Sequence, residues 1–407
     1  MEIYMVGGAV RDTLLGLPVK DRDWVVTGVT PDEMLALGYR QVGRDFPVFL
    51  HPETHEEYAL ARTERKTAAG YTGFVVHAEP DVSLEEDLLR RDLTINAIAQ
   101  ASDGRLIDPF GGADDIQRCV LRHVSDAFSE DPLRLLRVAR FAARFAALGF
   151  KVADDTLLLM RKIVVDDEAQ SLVPERVWIE TLRALGEQQP ACYFDVLRQC
   201  GALEVIFPEL DRLFGVPQTE KHHPEIDTGV HVMMALERAV ELSADTRVRF
   251  AVLMHDLGKA ETPEAEWPRH IAHEQRGVAL VKGLCQRLRV PKEYRELAIL
   301  ASRFHTHCHR AAELKASTLL KTLEKLDAFR RPERFEHFLL VCEADARGRL
   351  GYESSAYPQA EIFRLALQAA RKVDIKSIVA EGLNGSAVAE RIHKQRIAAI
   401  SSFQSTD

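Results

Sequence analysis

Hydrophobic and polar positions change their period about a third of the way along the chain. Up to about residue 120 the apolar residues come in short, β-branched runs separated by turns, as strands do. These runs are Ile3–Val6, Trp24–Thr27, Phe46–His51, Glu57–Ala61 and Arg105–Ile107. From about residue 128 onward the spacing becomes helical, with few strand signals. Pro174, Pro190, Pro208 and Pro217 interrupt the helical pattern, and Pro217–Pro224 reads as a linker. The last residues, Ser401-Ser402-Phe403-Gln404-Ser405-Thr406-Asp407, form a polar tail expected to fray. The pattern predicts an α+β head followed by an all-α body.

A length of 407 residues leaves room for two to four domains. No run of 18 apolar residues occurs and the N-terminus has no basic leader, so a cytoplasmic protein without membrane spans is expected. The six cysteines form no Cys-x-x-Cys pair and read as reduced thiols. A net charge of −9 argues against wholesale binding of polyanions, although local fields decide contact.

Candidate chemistry begins with the turn Gly7-Gly8-Ala9-Val10-Arg11-Asp12 and the run Asp21-Arg22-Asp23-Trp24-Val25-Val26. If that run is a strand, Asp21 and Asp23 share a face. Two carboxylates held together call for a cation, and Mg²⁺ favours one or two carboxylates plus substrate phosphates. Glycines expose backbone N–H groups and let phosphate come close, with Arg11 adding charge. Glu57 is the candidate third acid, with an exposed strand glutamate as the equal alternative. Arg90-Arg91-Asp92 offers a phosphate fork in Arg91. Next comes Glu130-Asp131-Pro132-Leu133-Arg134, opening a helix on which Arg134, Arg137, Arg140 and Arg144 form one stripe. Residues 134–151 hold five basic residues and no acid, a stripe that makes sense if anions lie against it.

In this order, the Gly-Gly-Ala-Val-Arg-Asp, Asp-x-Asp, Arg-Arg-Asp and Glu-Asp-x-x-Arg motifs resemble those of the class II tRNA nucleotidyltransferases, the CCA-adding enzymes. The resemblance implies a polymerase-β-type nucleotidyltransferase head. It implies that Gly8 and Arg11 hold a triphosphate and that Asp21 and Asp23 bind Mg²⁺ as the catalytic pair. It further implies that Arg91, Arg137 and Arg140 contact nucleotide, and that Asp131 and Arg134 read the base. Substrates would be tRNA, CTP and ATP, with no template. The loop Arg62–Gly73 is the candidate moving part that switches C addition to A addition. A poly(A) polymerase is the rival within this class.

Histidines supply the second constellation. His231 precedes His255-Asp256-Leu257-Gly258-Lys259, with others at 270, 273, 305, 307 and 309. Imidazoles with a carboxylate suit Ni²⁺ or another transition metal. The pattern resembles HD-domain phosphohydrolases, which implies His231, His255 and Asp256 as ligands and phosphoesters, including 2′,3′-cyclic phosphates, as substrates. The family pattern adds a later aspartate; Thr306 follows His305 where one would suit, and Asp345 lies farther on. The 305/307/309 triplet and His222-His223 are assigned no catalytic part. A hydrolase with a nucleotide-sensing head is therefore another reading. Residues 364–396 carry seven Lys/Arg against three acids, a candidate RNA track. The expected division is 1–125 nucleotidyltransferase head, 126–227 neck and body, 228–329 HD domain and 330–407 tRNA-binding region, in a monomer or homodimer.

Overall fold

The computed structural model describes residues 1–42, 48–66, 74–382 and 384–404. Within it the chain divides into two compact units, Met1–Ile206 and Phe207–Asp407.

The first unit is built on a mixed sheet. Its strands are β1 (Glu2–Val6), β2 (Asp23–Thr27), β3 (Arg40–Val42), β4 (Val48–Leu50), β5 (Glu57–Leu60), β8 (Ala99–Ala101) and β9 (Leu106–Ile107). Strands β6 (Thr63–Lys66) and β7 (Phe74–His77) form a separate ribbon. The sheet order is β3-β4-β5-β2-β1-β8-β9, and only the β2–β5 pair within it is parallel. Alternation along β2 sends neighbours to opposite sides. Val25 packs with Val6, Ala61, Val82, Leu88, Ala97 and Ala99, whereas Val26 packs with Val29, Met34, Phe49, Tyr58 and Leu60. The sheet therefore has a core on each face, which fixes its register.

The strand expected over Asp21–Val26 begins only at Asp23; Asp21 and Arg22 lie in the preceding loop. Strands β3 and β8 were not anticipated, and most of the Arg62–Gly73 loop lies outside the described residues. The helical half of this unit centres on Leu133–Phe145, which packs against Pro174–Leu185 and Ala191–Gln199. Its buried face is Leu135, Leu136, Val138, Ala139, Ala142 and Ala143, with Phe141 and Phe145.

The second unit is all helix. Thr228–Leu242, Thr246–Met254, His273–Arg287, Lys292–His309 and Pro332–Arg347 pack around one another. A trio of Ala316–Lys325, Pro358–Arg371 and Gly385–Gln404 follows. Gly258 lets two segments cross: a Cβ there would lie 1.9 Å from the His273 carbonyl oxygen and 2.5 Å from the Gly277 nitrogen. Pro217–Pro224 is not a linker between the units. Pro217 bridges to Asp227, and the Gln218 N–H donates to the Ile226 carbonyl at 2.7 Å, so the segment folds back as a tied loop.

Candidate functional site

The glycine turn is built as its sequence requires. Gly7 takes φ +66°, and the helix Gly8–Leu14 starts directly after it. A Cβ on Gly7 would sit 2.7 Å from Arg91 Nη1, so the glycine and the arginine fork occupy one spot. Asp21 and Asp23 are exposed. Asp23 is the register partner of Glu57 across the parallel β2–β5 pair, so their side chains leave the same face roughly 4.8 Å apart. Glu56 beside it is occupied, accepting from Trp24 Nε1 at 3.1 Å, whereas Asp21, Asp23 and Glu57 have no side-chain partner among the described residues.

The arginines behave differently from expectation. Arg11 is 3% exposed. Its guanidinium donates to Asp12 at 2.7 and 2.8 Å and to Asn96 Oδ1 at 2.5 Å, and it stacks 5.1 Å from Phe141 and 5.0 Å from Phe145. Arg137 Nε donates to Asp92 at 2.7 Å, Arg140 to Glu180 at 2.6 Å and Arg144 to Asp12 at 2.8 Å. Anions do lie against the stripe, but these are the protein's own carboxylates. Burying Arg11 and Arg140 without such partners would be costly. Burial opposes charge on Asp92, yet Arg137 outweighs it and holds the carboxyl below the usual range.

Arg91 keeps capacity. It donates to the Asn96 carbonyl and to Asp87, both at 3.3 Å, and its buried Nε has no partner among the described residues. Asp131 and Arg134 meet at the start of the helix Leu133–Phe145. Asp131 Oδ1 accepts the Leu133 N–H at 3.0 Å, and Arg134 donates to the carbonyls of Ala127 (2.9 Å) and Arg90. Asp131 Oδ2 also faces Arg176 Nη2 at 3.9 Å.

In the second unit, two helices and the turn after a third bring the histidines and aspartates together. His231 comes from Thr228–Leu242, His255-Asp256 from the end of Thr246–Met254, and Asp345 from Pro332–Arg347. Asp345, unassigned by the sequence, stands beside them. His231 Nε2 lies 3.0 Å from Asp345 Oδ1, and His255 Nε2 lies 3.1 Å from Asp256 Oδ2 and 3.5 Å from Asp345 Oδ2. His255 is 1% exposed, Asp256 1% and His231 0%. Yet His255 Nε2 has no aligned hydrogen bond, as expected of donors converging on a cation. Burial works against charge on His255, but Asp256 and Asp345 outweigh it and raise the ring well above its usual pKa; both carboxyls are held well below theirs.

Residues outside the motif complete the cluster. Glu225 approaches His231 Nδ1 at 2.8 Å. His309, given no part by the sequence, bonds Asp345 at 2.7 Å and Tyr357 at 2.9 Å. His305 likewise turns inward, 3.5 Å from Asp256, while His307 faces Thr322. A cavity of about 390 Å³ opens over the cluster, lined also by Lys259, Arg269 and Arg349. The tied loop contributes Gln218, Thr219, His222 and His223 to its wall.

The basic C-terminal tract is largely compensated. Arg364 pairs with Glu336, Arg391 with Glu381 and Lys394 with Glu390. Arg371 donates to the carbonyls of Ala328 and Phe329, and Arg396 stacks on Phe329. Lys372 and Lys376 remain exposed for an outside anion.

Three family models match the chain: a poly A polymerase head domain over residues 3–122, a probable RNA and SrmB-binding site of polymerase A over 149–214, and an HD domain over 228–332. A multifunctional CCA protein of Thioalkalivibrio sulfidiphilus is 64% identical over 400 residues, 98% of each chain. One from Nitrosococcus oceani is 63% identical, again over 98% of both. Among solved structures, a CCA-adding enzyme in complex with CTP aligns with TM-score 0.67 at 20% identity, covering 98% of this chain and 87% of that one. A Thermotoga maritima CCA-adding enzyme complexed with tRNA aligns with TM-score 0.65 at 19% identity and the same coverage. At that identity the structures speak for the fold, a polymerase-β-like head with a helical body.

Proposed function

Because the chain belongs to the family of multifunctional CCA proteins, matching its curated members nearly end to end, we propose a residue-level account of CCA synthesis and phosphoester hydrolysis. The protein is a tRNA nucleotidyltransferase carrying an HD domain. The observation that carries the account is the exposed carboxylate edge beside the glycine turn, where Asp23 and Glu57 are strand neighbours and Asp21 adjoins.

Three unpaired oxygen donors suit a hard ion that arrives still partly hydrated, so Asp21 and Asp23, with Glu57, hold Mg²⁺. When bound, the ion neutralises phosphate charge and makes the 3′-hydroxyl of tRNA more acidic. Gly7 and Gly8 allow the triphosphate to approach, and Arg91, with its unpartnered Nε, binds it. Arg137, Arg140 and Arg144 act mainly by holding the helix Leu133–Phe145 to Asp92, Glu180 and Asp12, and Arg11 stacks on Phe141 and Phe145 of that helix.

Asp131 and Arg134 select the base. Cytosine presents an amino donor beside a ring acceptor, and adenine presents the same order. Uracil and guanine present the reverse, leaving buried polar groups unmatched at about 1–3 kcal/mol each. One carboxylate with one guanidinium therefore takes C and A without a template.

In the second unit, His231, His255, Asp256 and Asp345 hold a transition metal such as Ni²⁺, with 2′,3′-cyclic phosphates and phosphomonoesters as substrates. No described helix is long and apolar enough to cross a membrane. We read the protein as a cytoplasmic monomer or homodimer divided at about residues 125, 227 and 329.

The test is incubation with tRNA lacking its CCA end, each labelled nucleoside triphosphate in turn, with and without Mg²⁺. C and A should be incorporated, U and G should not, and omission of Mg²⁺ should stop both. Repeated A addition without C would identify a poly(A) polymerase instead.

A further inference from the structure

The cavity over the HD cluster has a neighbour that hydrolysis of a free nucleotide leaves unused. A second cavity, of about 460 Å³, is lined by Ile271, Ala272, Glu274, His307, Arg310 and Leu314. Arg269, His270, His273 and Thr306 line both spaces, so the two meet along one wall. Both volumes fall in the range of about 300–1,000 Å³ that small-molecule sites occupy.

The wall is a firmly held loop. His270 takes φ +49° and Ala272 φ +58°, conformations that residues other than glycine adopt only at a cost. The surroundings impose them. His270 meets Thr262 Oγ1 at 2.7 Å and the Pro217 carbonyl at 2.8 Å, and Trp267 Nε1 donates to the Thr262 carbonyl at 3.2 Å. Arg269 is thereby fixed between the two cavities, exposed, and its guanidinium has no carboxylate partner among the described residues.

Nearby cations are already engaged. Lys259 Nζ bonds Asp256 at 2.6 Å, Arg347 pairs with Glu343 at 3.2 Å and Arg310 with Glu313 at 2.9 Å. Glu274, the acid lining the second cavity, accepts from Thr306 Oγ1 at 2.8 Å. A free guanidinium where two cavities meet calls for an anion, and its planar fork suits phosphate. Ile271, 60% exposed, gives a base apolar surface to cover in the second cavity.

We propose that this unit is shaped for the end of an RNA strand rather than for a free nucleotide. The terminal phosphoester enters the cavity over the cluster, the preceding nucleotide occupies the second cavity, and the phosphodiester between them lies on Arg269. The inference rests on reading the cluster as a phosphohydrolase centre and names the substrate class of that centre.

The test compares two substrates on the full chain: 2′,3′-cyclic AMP and the dinucleotide ApA ending in a 2′,3′-cyclic phosphate. Wild type should favour the dinucleotide in kcat/KM by on the order of 10-fold, through KM, because a contact to a remote phosphate binds ground and transition states alike. Arg269→Ala and Ile271→Glu should each bring that ratio to about 1. Both variants should keep CCA addition, which certifies folding. Equal kcat/KM for the two substrates in wild type, or an unchanged ratio in both variants, overturns the strand site and leaves the phosphohydrolase reading standing. Binding of fluorescein-labelled ApA 3′-phosphate to chelator-stripped protein separates the two claims. Affinity lower by on the order of 10-fold in Arg269→Ala, with neither substrate turned over by wild type, keeps the strand site and removes the phosphohydrolase reading. Equal affinity in wild type and Arg269→Ala overturns the strand site.

Discussion

The head and the HD cluster both gather acidic groups, but they store the charge in opposite ways. In the head, Asp21, Asp23 and Glu57 stand exposed and unpaired among the described residues, while the neighbouring arginines are already neutralised by Asp12, Asp92 and Glu180. In the cluster, Asp256 and Asp345 are 1% and 5% exposed and ringed by imidazoles. An open set of oxygen donors suits Mg²⁺, which keeps its waters and travels with a triphosphate. A dry nitrogen-rich set suits a transition metal that stays. On the proposed reading, one chain would separate a borrowed ion from a resident one by burial and donor type.

The sharpest way to break this comparison is reciprocal substitution. Asp23→Ala should lower CCA addition by at least on the order of 10³-fold, about 4 kcal/mol of barrier, and leave hydrolysis of a cyclic phosphate intact. His255→Ala should do the reverse. Loss of both activities in either variant would show that the two centres are not independent, and full CCA addition by Asp23→Ala would show that this carboxylate does not carry the transfer.

Next is the claim that the arginine stripe is structural. Glu180→Ala leaves Arg140 buried without its partner and should cost about 3–5 kcal/mol of stability, read as a lowered denaturant midpoint. A merely exposed pair would cost far less.

Glu225→Gln probes the resident ion. Weakening the hold on His231 should reduce transition-metal affinity roughly 10–100-fold, measured by titration, with Mg²⁺-dependent CCA addition unchanged.

The smallest effect concerns acid. Asp87 and Asp92 are held below their usual range in the folded head, against their burial, by Arg90 and by Arg137. A depressed folded pKa adds stability above the unfolded value near 3.9, and that stability fades as pH falls below it. Unfolding midpoints should therefore drop progressively as pH falls below about 4, and Asp92→Asn should flatten the slope.

What the sequence revealed depended on how local the cause was. The strand after Asp23 was legible because Trp24-Val25-Val26 is β-prone, and the glycine turn because glycine takes a positive φ without steric cost. Strand β8 was hidden because Ala99-Gln100-Ala101 has no such bias. Asp345 stayed unassigned since helical periodicity alone does not say which distant helix will face His255. The arginine stripe looked free because its partners, Asp12, Asp92 and Glu180, lie 40 to 132 residues away in the chain. Family motifs reached His231, His255 and Asp256; Glu225 and His309 belong to no motif and needed three dimensions.

The most direct test of the head's carboxylate edge is a crystal soaked with CTP and Mg²⁺. The account requires an ion about 2.1 Å from carboxylate oxygens of Asp21 and Asp23, with the triphosphate against Gly8 and Arg91. A nucleotide bound elsewhere, or these two side chains turned away from the metal, would contradict it.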